Sequence, residues 1–168
     1  LVSKELFRAG NLAVELSLGA SNARYVSARA GMSARGFVPL TEGIDRLSTT
    51  TVNISKNIND LALKVSMSVL EVRSIKKVQE KLLLAIDVSD ALRDDKYIQD
   101  LLLSLEVGYA SVNRKYKGHA RKLSSSIMEL DNELRTASVI TALARVEATR
   151  ADEEYQDSLN KVADTMKN

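Results

Sequence analysis

Between residues 113 and 122 the chain reads NRKYKGHARK, with five cations, one histidine, one interleaved tyrosine and no acid. Such a run can neutralise phosphates while its ring stacks on a base. No nucleic-acid fold signature accompanies it, however, and the cations are spread around a helix, so the segment reads as a solvated face and no nucleic acid is assigned as a partner. A second acid-free stretch places Arg24, Arg29 and Arg35 within twelve residues. Cations at that density can dock an acidic protein surface, or simply solvate a turn. Gln79 and Glu80 set an amide beside a carboxylate, but lysines and leucines surround the pair and it reads as ordinary helix surface. One His and no Cys leave no thiol nucleophile and no zinc cluster. A Gly-rich phosphate loop and a nucleophile elbow are both absent. The carboxylates at 87–96, DVSDALRDDK, serve best as helix caps. No catalytic, cofactor or metal residue is therefore assigned, and the expectation is a protein without enzymatic activity.

These residues must be carried by helices. Of the 168 residues 45% are apolar but only 4% aromatic, with one Pro and seven Gly, too few turn formers for a sheet protein. A formal net charge of +2 points to neither polyanions nor membranes, and no apolar run approaches the roughly 20 residues of a span. The chain opens on Leu1 with no secretory pattern, and we read it as a cytoplasmic excerpt of a longer protein.

Apolar spacing gives the elements. From Leu40 to Ile86 steps of four and three alternate without a break through Ile44, Leu47, Ile54, Ile58, Leu61, Val65, Val72, Ile75 and Leu82. That is one long helix with a continuous seam for partners. A second seam runs from Leu102 to Ala148 through Tyr109, Val112, Leu123, Ile127, Leu130, Leu134 and Ala144, with a register adjustment expected near His119. Asp94 or Asp95 could cap it, which puts a chain reversal near residue 93. In front lies a shorter seam, Val2, Leu6, Ala9, Ala13, Leu16, Ala20, Ala23, Ser27 and Ala30; behind lies Tyr155, Leu159, Val162 and Met166. The expected helices are 1–31, 37–90, 95–151 and 155–168, with turns at 31–36, 87–96 and 152–154, all within one bundle.

Residues 22–48, NARYVSARAGMSARGFVPLTEGIDRLS, resemble the hairpin tip of the cytoplasmic signalling domain of methyl-accepting chemotaxis proteins. Asn22, Ala23, Ala28, Arg29, Ala30, Gly31, Arg35, Gly36, Phe37 and Leu47 fall on that family's pattern without a gap. The family's acidic residues are replaced by Val26 and Met32, a tip glycine by Ala34, and a valine by Pro39. A weaker second copy begins at Leu143, where Ala144, Arg145, Arg150 and Ala151 repeat Ala23, Arg24, Arg29 and Ala30 at an offset of 121, with Glu147 keeping the acid that Val26 has lost.

The resemblance implies an all-α, antiparallel four-helix bundle. Receptors of the family assemble theirs from two chains; here both hairpins would be joined in one chain as a pseudo-dimer. It further implies a non-enzymatic signalling module that docks the chemotaxis histidine kinase CheA, the adaptor CheW or other receptor-like bundles through its tip, with Asn22, Arg29, Arg35, Phe37, Glu147 and Arg150 as contact residues. The alternative is a structural helical spacer that keeps the receptor fold without its contacts. No cofactor is implied by either.

Overall fold

The computed structural model describes residues 2–151 and 153–165, and every regular element among them is helical. Helix α1 is Val2–Ala30, followed by a 3-10 turn at Gly31–Ala34; α2 is Phe37–Val88, α3 the single turn Asp90–Arg93, α4 Lys96–Ala148 and α5 Glu153–Thr165. Asp152, and the side chains of Val2, Leu6, Ala9, Ala13, Leu16, Val162 and Met166, lie outside the described set. In place of one expected bundle there are two compact units, Leu1–Asn59 with Ser126–Asn168, and Asp60–Ser125.

The first unit is a four-helix bundle made of α1, the start of α2, the end of α4 and α5. Contacts between α2 and α4 advance along one helix as they retreat along the other: Gly36 meets Glu147, Gly43 meets Ile140, and Asn57 Nδ2 donates to Ser126 Oγ at 3.0 Å. The two helices are therefore antiparallel. Ala20, Ala23, Ala34, Phe37, Ile44, Ala144, Ala148, Ala151 and Leu159 form its core. Six of these nine are alanines, so the helices approach closely around two bulky aliphatic side chains and one ring. Each turn takes part, Ala34 and Phe37 from the first, Ala148 and Ala151 from the second.

The duplicated hairpin extends beyond sequence. Arg24 Nη2 pairs with Asp45 Oδ2 at 2.7 Å, tying α1 to α2, and Arg145 Nη2 pairs with Asp164 Oδ1 at 2.8 Å, tying α4 to α5. Arg24 and Arg145 are repeat equivalents, so each half closes its own hairpin with the same device. Ala20, Ala23 and Ser27 are buried, as are their counterparts Thr141, Ala144 and Ala148.

The second unit is a two-helix hairpin. Ser89 is extended, α3 begins the reversal, and Asp95 caps α4 by accepting from the N–H groups of Tyr97 at 2.8 Å and Ile98 at 3.4 Å. Side-chain capping of this kind satisfies donors that the first helical turn leaves orphaned. With only two helices the seam stays half-buried at Val65, Val72, Ile75, Leu82 and Ile86 on α2 and at Leu102, Leu105, Val112 and Leu123 on α4. Lys76 Nζ lies 5.6 Å from the Tyr109 ring centroid across it.

The seam of α4 differs from its expected course. It runs without adjustment through Tyr116, His119, Leu123, Ser126, Leu130, Glu133, Ala137, Ile140 and Ala144, every one at least half-buried. Ile127 and Leu134 are 52% and 57% exposed. Sequence reading follows bulk and so moves one residue too far, whereas the strict heptad continues through Ser126, whose hydroxyl is satisfied by Asn57. Helix ends move as well. Helix α4 stops at Ala148 rather than 151 because Arg150 and Ala151 bond three residues back, to Glu147 and Ala148, tightening the last turn.

Three glycines carry opposite expectations. Gly31 has φ +63°, the left-handed conformation that ends a helix, so Gly31→Ala is expected to cost about 1–2 kcal/mol. Gly108 and Gly118 are mid-helix with room for a methyl: a Cβ at Gly108 would sit 3.9 Å from Ile75 and one at Gly118 would meet nothing. Their alanine variants are expected to stabilise by about 1 kcal/mol each. Urea titration of the three variants checks the signs; stabilisation by Gly31→Ala would contradict the turn.

Candidate functional site

The candidate site is the end of the first unit where the two turns meet. Small residues allow the convergence: Ala34 and Phe37 on one side and Ala148 and Ala151 on the other share one cluster. Over it lies Glu147. One carboxylate oxygen accepts from Arg150 Nη1 at 2.8 Å; the other packs against Gly36, where any Cβ would collide with it. A residue of the second hairpin thus closes over the backbone of the first. Glu147 keeps a side-chain exposure of 24%, which leaves it reachable while partly desolvated.

Helix α1 presents the other predicted residues. Asn22 and Arg29 are exposed and two turns apart, on one stripe. The Arg29 guanidinium lies 6.0 Å from the Tyr25 ring centroid, between them on that stripe, an arrangement that holds the cation by the ring's negative face. Arg35 is exposed just past the 3-10 turn. Tyr25 and Met32, both well exposed, bring apolar surface to this end. Tyr25 was not singled out by sequence, although its position three residues after Asn22 and four before Arg29 marks it as a neighbour of both.

Phe37 requires correction as a contact residue. It is 0% exposed, among the largest fully buried side chains, and cannot touch a partner. Its part is to hold the turn from below. Nor do the three arginines form one free patch: Arg24 is neutralised by Asp45, and its Nε reaches the buried Thr41 hydroxyl at 3.4 Å. Thr41 donates in turn to the Val38 carbonyl at 2.8 Å, so a buried hydroxyl links α1 to the first turn of α2. The loss of the acid at Val26 has a packing reason, since Val26 lies half-buried against the core, where a carboxylate would be desolvated.

Arg114, Lys115, Lys117, Arg121 and Lys122 are all exposed while Tyr116 and His119 face the seam, so the cations of 113–122 share the side of α4 away from the seam and do not ring the helix. Gln79 is a half-buried seam residue and Glu80 is exposed beside it. Among the described residues no three His, Asp or Glu side chains gather as metal ligands, and no helix is long and apolar enough to cross a membrane.

No known protein family, no curated protein and no solved structure matches this chain.

Proposed function

We propose that the chain is a non-enzymatic, cytoplasmic signalling module that docks a partner protein through the paired turns of its four-helix unit. The observation that carries this reading is Glu147 of one hairpin set over Gly36 of the other, beside exposed Arg150 and Arg35. Two turns distant in sequence present one composite surface, and it sits on an alanine-packed base that gives it little freedom to rearrange. Preorganised charge over a rigid base is what a selective docking surface needs, because little ordering entropy is then lost on binding. The resemblance at residues 22–48 suggests the partner: the chemotaxis kinase CheA, its adaptor CheW, or another receptor-like bundle.

The two halves are unequal. Glu147 has Val26 as its repeat equivalent, so one partner per chain is expected where a symmetric receptor dimer offers two equivalent faces. Titration calorimetry of the chain against the kinase and the adaptor tests this. Arg29→Ala, at an exposed rim, is expected to weaken binding by roughly 0.5–1 kcal/mol, and Glu147→Ala, partly desolvated, by about 2 kcal/mol. Gly36→Ala should weaken binding too, by pushing the Glu147 carboxylate aside without removing a charge. If the unaltered chain binds neither protein nor a receptor bundle, the reading passes to a helical scaffold that keeps the fold alone.

A further inference from the structure

The two-helix unit has an unfinished core. In the four-helix unit the seam residues Ile44, Leu47, Ile54 and Ile58 are no more than 5% exposed, whereas the apolar seam residues between 65 and 86 stay half-buried. One edge of this hairpin mixes apolar and charged side chains: Ala62, Val69 and Leu83 follow the seam residues of α2 by one position and Leu103 and Ala120 those of α4, as do the charged Lys76 and Glu106. An open groove lined by Val69, Val72, Arg73, Lys76, Lys77 and Glu80 lies on this edge, about midway along the unit.

Charge along the unit is sharply divided. Residues 78–107, the half that contains the turn, hold seven acidic and three basic side chains; residues 60–77 and 108–125, the other half, hold nine basic and two acidic. We infer that the two-helix unit binds a second copy of this chain, antiparallel, so that the acidic turn half of each copy lies along the basic half of the other and the four helices close one core. The two-fold axis crosses at the level of Lys77 and Gly108, beside the groove. A parallel pairing would set basic against basic and acidic against acidic over the whole length, and charge alone excludes it. The area suffices: a face about 40 Å long, from the helical rise, and about 20 Å wide, two helix diameters, gives about 800 Å² per copy, the standard size of a specific interface. This inference is independent of the docking role proposed for the paired turns.

Sedimentation equilibrium of the full chain tests it, with folding followed by circular dichroism. The expected result is a dimer at micromolar concentration whose dissociation constant rises about tenfold or more between roughly 50 and 500 mM salt. On the edge that meets the partner, the triple variant Glu80→Lys, Asp87→Lys, Glu106→Lys makes both halves basic, and Arg73→Glu, Lys76→Glu, Lys117→Glu makes both acidic. Each alone is expected to remain monomeric, and their equimolar mixture to form a one-to-one heterodimer. Because the chain has no Cys, a spin label on Ser89→Cys reports orientation cleanly. Antiparallel copies place the two labels about 35 Å apart, twice the helical distance to the axis, and parallel copies bring them together. A monomer at every salt concentration, which would leave the seam to another partner, overturns the inference. So does a dimer with the labels close, or a swapped pair that fails to associate while both members stay folded.

Discussion

Phe37→Ala is expected to lower stability by about 3–5 kcal/mol, toward the upper part of the range for a buried aromatic. The reason is the company the ring keeps. Ala20, Ala23, Ala34, Ala144, Ala148 and Ala151 share its cluster, and an alanine has no side chain that can swing into the space the ring leaves. The cavity therefore stays open, and the cavity cost adds to the lost transfer free energy. Phe37→Leu, which keeps most of the volume, should cost markedly less. Urea unfolding followed by circular dichroism measures both, and a loss under about 1 kcal/mol for the alanine variant would remove Phe37 from the core. The same experiment separates the two roles considered for this residue, since a surface contact would cost binding and little stability.

The opposite error should be nearly as damaging. Ala144→Leu is expected to destabilise by about 1–3 kcal/mol, because Ala144 is 0% exposed in a layer of methyl groups where added methylenes force helices apart. Its neighbour supplies the control: Leu143 is half exposed, and Leu143→Ala should stay within about 0.5 kcal/mol. If Ala144→Leu is tolerated, the close approach of α4 to its partners is wrong. Because Ala23 is its repeat equivalent, Ala23→Leu should reproduce the result.

The helices were legible because the code that writes them is local and long. A four-three alternation over nearly fifty residues from Leu40 to Ile86 admits one regular structure, and each of its apolar members is at least half-buried. The hairpin reversal was readable from its aspartates, and Asp95 is the one that caps. On α4 the code was ambiguous, since Ile127 and Leu134 offer bulk one step away from Ser126 and Glu133. What decides there is Asn57 on another helix, which the local pattern does not contain. Nor did periodicity distinguish two helices from four: the seam at Ile75 looks like the seam at Ile54, yet one is half-buried and the other closed. In the candidate site the charged residues were found by type, while the burial of Phe37, the neutralisation of Arg24 by Asp45 and the stripe shared by Tyr25 and Arg29 depend on which faces of α1 and α2 meet.

The alanine-rich core under the paired turns also has a calorimetric consequence. Burying an alanine orders no rotamers, so this end of the bundle forms with little loss of side-chain entropy. It also removes little hydrocarbon from water, so its unfolding should carry a heat-capacity increment below the ~12–15 cal/mol/K per residue of ordinary globular proteins. A small increment flattens the dependence of stability on temperature. The surface on which Glu147 is held should accordingly keep its geometry over a broad thermal range, on a modest but slowly changing free energy.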